Sequence, residues 1–179
     1  MTIGLKRGTV KLMEHQDEWC EIAEKTIKNL KVLLLNTAID IQHIGSTAVP
    51  SIHAKPIIDI VVGVYHLNDI LSSVELLEQN GFLFRGEDVE GQLLFVTGDF
   101  ETDIRTHHIH VVEWNGTAWN NYINFRDYLN AFPEKAMMYD HCKQKLASRF
   151  SEDRKSYTDG KQELIDHLLE EANIWKAEQ

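Results

Sequence analysis

Apolar residues along the chain change their spacing between a helical and a strand-like period. In residues 17–35 they recur every third or fourth position, which predicts an amphipathic helix. Residues 39–44 predict a short strand that runs into the sequence Gly45-Ser46-Thr47, where the periodicity breaks. Residues 57–64 are almost all β-branched, a pattern typical of a short strand buried on both faces. These elements predict an α/β arrangement in the first third of the chain.

The rest of the chain contains a second helix, three strands and then only helices. The second helix is predicted at 67–80, where Asn80 and Gly81 would end it. We predict strands at 82–85, 92–97 and 106–113, the first two forming a hairpin. We predict helices at 119–131, 134–150 and 154–175. The pattern therefore predicts one domain over residues 1–179, with an α/β core at 1–115 and a helical part at 116–179.

Composition narrows the expected partners. The 179 residues include 28 acids and 18 Lys and Arg, a formal charge of −10, and nucleic-acid binding depends on basic residues that neutralise phosphates. No apolar run approaches the roughly 20 residues of a membrane span, and the N-terminus lacks an apolar signal core. Two cysteines, Cys20 and Cys142, are too few for a disulfide framework. We expect a cytoplasmic protein with no nucleic-acid or membrane partner; the oligomeric state does not follow from the sequence.

A glycine, two hydroxyl residues and a lone carboxylate mark the centre of the predicted core. Gly45 would let the backbone approach a ligand closely. Ser46 and Thr47 would offer hydroxyls and backbone N–H groups to phosphate oxygens. Asp59 lies in an apolar predicted strand, and a buried carboxylate needs a hydrogen bond, an ion pair or a metal. A structural and a functional role for Asp59 are equally consistent with this pattern.

Histidines supply candidate metal ligands. His108 and His110 are two residues apart in a predicted strand and so share one face, while His107 faces the other side. With Asp59 and with His43, which precedes the Gly-Ser turn, they would form a site that suits Zn, Fe or Mn better than Mg. The alternative is a buried polar network of histidines that braces the turn.

Three basic residues are candidate phosphate ligands. Lys55 lies in the loop before the buried strand. Arg126, on a predicted helix, would either bind a phosphate bidentately or form a salt bridge with Asp127. Lys161, on the last predicted helix, would either approach a ligand phosphate or lie on a solvated face.

Together these motifs resemble the signature of the GrpB family, a group of small bacterial proteins of uncertain activity. The resemblance rests on residues 43–60, on Thr106–Glu113, on Asn124–Leu129 and on Tyr157 with Lys161, and it covers nearly the whole chain. The family in turn resembles the nucleotidyltransferase superfamily. This implies an α/β (α+β) fold with a mixed β-sheet flanked by helices and a helical C-terminal part. It also implies a phosphate-binding Gly-Ser turn and metal-binding carboxylates on the next strand.

One departure from that superfamily bears on catalysis. Its members carry two acidic residues two positions apart, which share a face and hold metal ions. Here Val61 stands at the second position after Asp59. We therefore expect weak or absent nucleotidyl transfer with Mg²⁺ alone.

Three functions remain open at this point. The first is a nucleotidyltransferase that binds a small nucleotide or another phosphorylated ligand, with Asp59, His108 and His110 acting in catalysis and a divalent metal such as Mg, Mn or Zn. The second is a non-catalytic module for a nucleotide or coenzyme A type ligand, since the family is similar to an extra C-terminal domain of some dephospho-coenzyme A kinases. The third is a metal-dependent hydrolase built on the His and Asp residues.

Overall fold

A mixed sheet of six strands forms the centre of the molecule. The computed structural model describes residues 3–179. Its strands are β1 (Leu5–Lys6), β2 (Ala38–Ile44), β3 (Ile58–Val64), β4 (Leu83–Val89), β5 (Gln92–Asp99) and β6 (Ile104–Glu113). Its α-helices are α1 (Glu18–Leu33), α2 (Val74–Gln79), α3 (Thr117–Ala131), α4 (Pro133–Arg149), α5 (Arg154–Gly160) and α6 (Gln162–Ala177). The strand order is β2-β3-β6-β5-β4, with β1 beside β6. The pair β3–β6 is parallel and the others are antiparallel.

The β-branched strand β3 is buried on both faces, as predicted. Ile58, Ile60 and Val62 point to one face, where they join the main hydrophobic cluster with Trp19 and Leu30 of α1. Burial of apolar side chains on this scale is the dominant favourable term in folding. This face of the sheet carries the larger share of the core.

The opposite face of β3 packs closely against α3. A Cβ atom on Gly63 would lie 2.9 Å from ring atoms of both Trp114 and Trp119, so only glycine lets these rings approach the strand. Val61 joins Trp119, Ile44 and Val112 in a small apolar cluster. The result is a short, tightly packed contact between the sheet and the helical part.

The C-terminal helices form their own apolar cluster and enclose the loop that follows β2. Leu129 of α3, Ala136 of α4 and Leu168 of α6 pack together with Val49 and Ile52 of that loop. The segment carrying the Gly-Ser turn is thus held between the sheet and the helices. No helix among residues 3–179 is long and apolar enough to cross a membrane.

Most predicted elements are confirmed, with three differences. The last predicted helix, 154–175, is two helices, α5 and α6, with Lys161 between them; at the end of α5 Gly160 packs closely on α4, where a Cβ would lie 2.7 Å from Leu146 Cδ2. The predicted helix at 67–80 begins as a 3₁₀ segment, Leu67–Ser73, before α2. The hairpin strand β4 extends beyond its predicted end, to Val89, since its pairing with β5 continues past two irregularities.

The packing of α1 gives a direct test of the core. Leu30 is 1% exposed inside the main cluster, whereas Leu35, just past the same helix, is 77% exposed. We expect Leu30→Ala to lower the free energy of unfolding by about 2–5 kcal/mol through lost burial and a residual cavity. Leu35→Ala should change it by less than about 0.5 kcal/mol. Urea denaturation of both variants measures this, and equal losses would contradict the packing described.

Candidate functional site

The Gly-Ser turn lies directly against the carboxylate of Asp59. Gly45 has φ 70° and ψ −172°, and the 3₁₀ turn Ser46–Ala48 follows it. A Cβ at Gly45 would be 2.7 Å from Asp59 Oδ2, and the positive φ is one that L side chains rarely adopt. Glycine is therefore required at this position for two reasons, the backbone conformation and the close contact with Asp59. Because glycine has no side chain, Ser46 and Asp59 can line the same pocket.

Asp59, His108 and His110 form one group on the same face of the sheet. The parallel register pairs Asp59 with His108 and Val61 with His110, so period-two alternation turns all these side chains one way. His108 Nδ1 is 3.1 Å and His110 Nε2 is 3.6 Å from Asp59 Oδ1. One ligand atom from each of the three residues lies within 4.8 Å of the others. The shared face of the two histidines is confirmed.

The charge of Asp59 is fixed by these neighbours. Burial would raise the pKa of its carboxyl group, but hydrogen bonds and charge from His108 and His110 outweigh burial and hold the pKa well below its usual range. Asp59 is therefore an anion at neutral pH.

A second layer orients His110. The Tyr122 hydroxyl donates to Gln92 Oε1 at 2.7 Å, so its oxygen remains free to accept from His110 Nδ1 at 3.4 Å. Burial raises the pKa of Tyr122 and keeps this hydroxyl protonated. With Nδ1 engaged by Tyr122, Nε2 is the ring nitrogen of His110 that faces Asp59. An imidazole oriented in this way is typical of a metal ligand.

Basic side chains converge on the same pocket, whose volume is about 260 Å³. Its lining includes Gly45, Ser46, Thr47, Lys55, Asp59, His108, His110, Tyr139, Lys143, Arg154, Tyr157 and Lys161. Four of the lining residues are Lys or Arg and only Asp59 is acidic, although the whole chain carries −10. The pocket therefore favours an anionic ligand.

Lys55 and Lys161 flank the ring of Tyr157. Their Nζ atoms lie 5.5 and 5.0 Å from the ring centroid, within the range of cation–π attraction. Burial, followed by the charges of Arg154 and Lys161, lowers the pKa of Lys55 to about 7 against the attraction of Asp59. An anion in the pocket would favour the charged form of this lysine. Both residues line the pocket that contains the Gly-Ser turn, and their role in phosphate binding stays a prediction.

Lys143 and Arg154 line the pocket but were not predicted from the sequence. Lys143 is 1% exposed, and its Nζ donates to the carbonyl of His53 and lies 3.1 Å from Ser46 Oγ. The helical period could have identified Lys143, because it lies on the buried face of α4 with Ala136 and Tyr139. A lysine in the apolar stripe of a helix needs a specific partner. Arg154 gave no comparable signal, since it begins a short helix in a polar segment.

Arg126 does not line this pocket. Its guanidinium donates through Nη1 to Gln42 Oε1 at 2.8 Å and to the carbonyl of His43 at 2.9 Å, and through Nε and Nη2 to Asp127 Oδ1 at 2.8 and 2.6 Å. Nη1 thus joins α3 to β2, while Nε and Nη2 bind the neighbouring residue on the same helix. The salt bridge with Asp127, one of the two alternatives, is therefore the arrangement found, and the phosphate role is corrected.

His43 is also separated from the group. The antiparallel register pairs His43 with Ile60, so its ring lies on the face opposite Asp59. Its Nε2 is 2.9 Å from Thr47 Oγ1, and burial lowers its pKa to about 4, which leaves the ring neutral. The expectation that His43 shares a metal site with Asp59 is corrected: it braces the turn instead.

Comparison with known proteins identifies close relatives. A family model described as GrpB protein matches residues 9–171. A glutamate-rich protein GrpB from Alkalihalophilus pseudofirmus is 37% identical over 172 residues, which cover 94% of this chain and 99% of that protein. YqkA of Bacillus subtilis is 33% identical over 168 residues, and this chain spans 48% of its length.

Solved structures extend the comparison to the fold. The crystal structure of the conserved protein GrpB from Enterococcus faecalis has a TM-score of 0.84 at 30% identity and covers 92% of this chain and 99% of that one. A structure of Cid1 in complex with its short product ApU has a TM-score of 0.55 at 15% identity, over 76% of this chain and 43% of that one. At this identity the likeness to Cid1 concerns the fold alone, which is nucleotidyltransferase-like.

The contact between the turn and Asp59 can be tested by a pair of glycine substitutions. Gly45 and Gly91 both have positive φ, but a Cβ at Gly91 would meet nothing within 4 Å. We expect Gly91→Ala to cost about 1–2 kcal/mol from backbone strain. Gly45→Ala should cost more, because Asp59 must also move. Chemical denaturation compares the two, and equal losses would show that Asp59 does not constrain the turn.

Proposed function

Because the chain belongs to the GrpB family and has a nucleotidyltransferase-like fold, we propose that its pocket binds the phosphates of a nucleotide together with a divalent metal ion and transfers the nucleotidyl group to an acceptor. The observation that carries this proposal is the convergence of four basic side chains on the Gly-Ser turn and on the group formed by Asp59, His108 and His110. The acidic chain supports a small-molecule acceptor over a nucleic acid.

The phosphates would be bound by the turn and by the basic residues around it. Ser46 and the backbone of the turn offer short-range donors, while Lys55, Arg154 and Lys161 offer charge. Charge that develops on the phosphates during transfer is stabilised most by donors that are already in position. Arg126 has no part in this proposal.

The donor set suits a metal ion of a particular class. Asp59, His108 and His110 would hold it, and two imidazoles with one carboxylate favour Mn, Fe or Zn over Mg. Such an ion supplies Lewis-acid polarisation of a phosphoryl oxygen. Val61 is buried in an apolar cluster and offers no second carboxylate. The residues present therefore fit one transition-metal ion better than a pair of Mg²⁺ ions.

The structural neighbours support a nucleotide ligand. One structure of Cid1, a poly(U) polymerase, contains MgGTP, with a TM-score of 0.53 at 15% identity. In that protein the ligand is a nucleoside triphosphate with magnesium. For this chain we carry over the ligand class only, since its metal-binding side chains indicate a different ion.

A second candidate function is metal-dependent hydrolysis of a phosphate ester. The single carboxylate with two histidines favours it, because such a set can hold one ion and a bound water. A third, nucleotide binding without turnover, is favoured by Val61 at the position of the second acid. The products formed from nucleoside triphosphates distinguish the three: pyrophosphate, inorganic phosphate or neither.

Substitution of the carboxylate tests the metal site. We expect the wild-type protein to bind Mn²⁺ and Zn²⁺ more tightly than Mg²⁺, as measured by isothermal titration calorimetry. Asp59→Asn keeps the shape of the side chain and removes its charge. Loss of a residue that only orients a metal ligand already lowers affinity by up to about 100-fold, so loss of a ligand should lower the Mn²⁺ affinity by roughly 100-fold or more. The exposed Asp166→Asn is the matched control. Equal affinities of wild type and Asp59→Asn would make Asp59 purely structural.

The transfer reaction is tested by release of pyrophosphate from ATP, GTP, CTP and UTP with each ion. We expect slow release with Mg²⁺ and faster release with Mn²⁺. His110→Ala should abolish the gain with Mn²⁺, because the gain depends on an imidazole ligand. Rapid release with Mg²⁺ in both proteins would contradict the argument from Val61. Nucleotide binding without release with any ion would favour the binding module.

A further inference from the structure

Ser46 and Lys143 face each other inside the pocket. Lys143 Nζ lies 3.1 Å from Ser46 Oγ, and both residues line the cavity that also contains Asp59. Lys143 comes from α4 and Ser46 from the turn after β2, so the contact joins the two sides of the pocket. A hydroxyl and an amine at this distance can exchange a proton.

The other partners of Lys143 leave room for a neutral amine. Its Nζ donates one hydrogen to the carbonyl of His53. Asp140 Oδ1 is 3.9 Å away, and the carboxylate already accepts from the His53 backbone at 2.8 Å, contacts His53 Nδ1 at 2.9 Å and accepts from Gln144 at 2.7 Å. Asp140 is therefore a counter-ion that Lys143 shares with His53 and Gln144 and contacts only at 3.9 Å. In the structure Nζ donates to the His53 carbonyl and to Ser46 Oγ; as a neutral amine it can keep the first bond and accept from the Ser46 hydroxyl instead.

The surroundings of Lys143 favour that neutral form near neutral pH. Burial lowers its pKa to about 7, with the charges of Lys161 and Lys55 acting in the same direction and Asp140 opposing them. The face of the Tyr139 ring, 4.8 Å from Nζ, acts in the opposite direction, because a cation–π contact favours the charged form. A general base is most effective when its pKa lies near the working pH.

The second hydroxyl of the turn is placed differently. Thr47 is 1% exposed, and its Oγ1 is engaged by His43, whose ring lies on the other face of the sheet. Attack by a side chain so enclosed is sterically hindered. Both hydroxyls line the pocket, but Ser46 is the less buried of the two and the one that contacts Lys143.

We propose that Ser46 is a nucleophile activated by Lys143, and that the pocket forms a covalent nucleotidyl-serine from a nucleoside triphosphate. This inference rests on the proposed function. A bond forms between Ser46 Oγ and the α-phosphorus, the bond from that phosphorus to the pyrophosphate oxygen breaks, and the hydroxyl proton passes to Lys143 Nζ. Pyrophosphate leaves as an anion beside Lys55, Arg154 and Lys161. An acceptor hydroxyl or water then attacks the phosphorus, its proton is released, and Ser46 recovers its proton from Lys143.

The adduct is detected on the intact protein. The full chain is mixed with ATP, GTP, CTP or UTP and Mn²⁺, quenched in acid, and its mass and peptide map are recorded. We expect one nucleotidyl group per chain, attached at Ser46, with a matching burst of pyrophosphate. Ser46→Ala should lose both, while Ser51→Ala, an exposed serine in the same loop, should keep both. No adduct and no burst, or an adduct mapped to Thr47, would overturn the proposal.

The role of Lys143 is tested by separating its charge from its basicity. Lys143→Arg keeps the charge but cannot act as a base, so adduct formation should slow by about 100-fold or more. In the wild type the rate should rise about tenfold per pH unit below pH 7 and level off above it. Lys145→Arg, exposed on the same helix, should behave like the wild type. An unchanged rate and pH profile in Lys143→Arg would overturn the assignment.

Two further measurements keep the result interpretable. Lys143→Met is included because arginine is larger than the buried site, and circular dichroism with thermal denaturation identifies any variant that fails to fold. Calorimetric titration with the same nucleotides is run beside the adduct assay. Nucleotide binding without an adduct overturns the role of Ser46 and leaves the proposed function standing. Absence of any nucleotide binding overturns both.

Discussion

The parallel pairing of β3 with β6 fixes the chemistry of the pocket. With Asp59 beside His108 and Val61 beside His110, the one carboxylate and the two imidazoles share a face and meet above the sheet. A shift of one residue would turn the histidines into the core that packs on α1, because side chains alternate between faces. The apolar residues between them make that shift costly, since they would be exposed in exchange. The core therefore protects the geometry of the site.

The charge of the pocket is opposite in sign to the net charge of the molecule. A chain of net charge −10 concentrates four basic side chains around one carboxylate. Two of them, Lys55 and Lys143, have pKa values lowered to about 7, mainly by burial. Such burial is unfavourable for the empty protein and becomes favourable when an anion replaces the lost hydration. Burial of these two lysines thus lowers the folding stability of the protein and raises the electrostatic attraction of the pocket for an anion.

Site residues whose position follows from local periodicity could be predicted from the sequence. Those whose position depends on contacts between distant elements could not. The alternation of His108 and His110 could be read from the strand period, and the glycine-serine turn from its composition. His43 could be assigned only with the register of β2 against β3, which places it opposite Ile60. The sequence allowed Arg126 to bind either a phosphate or Asp127. The position of α3 against β2 places its guanidinium on Gln42 and the His43 carbonyl, so that it binds Asp127 and not a ligand in the pocket. Lys143 is 97 residues from Ser46, so no local pattern connects them, although a charge in a buried helical stripe marked it as unusual.

The lysine that reaches Ser46 comes from α4, and Arg154 and Lys161 come from still later in the chain. The Gly-Ser turn and the group formed by Asp59, His108 and His110 lie within the first 110 residues. The lining residues from α4 and α5 come later in the chain. During synthesis on the ribosome Lys55 emerges with the turn and Asp59, whereas Lys143, Arg154 and Lys161 emerge last. The nascent chain consequently lacks three of the four basic side chains of the pocket until its final helices dock, so the electrostatic attraction of the pocket for an anion is complete only when the whole chain has folded.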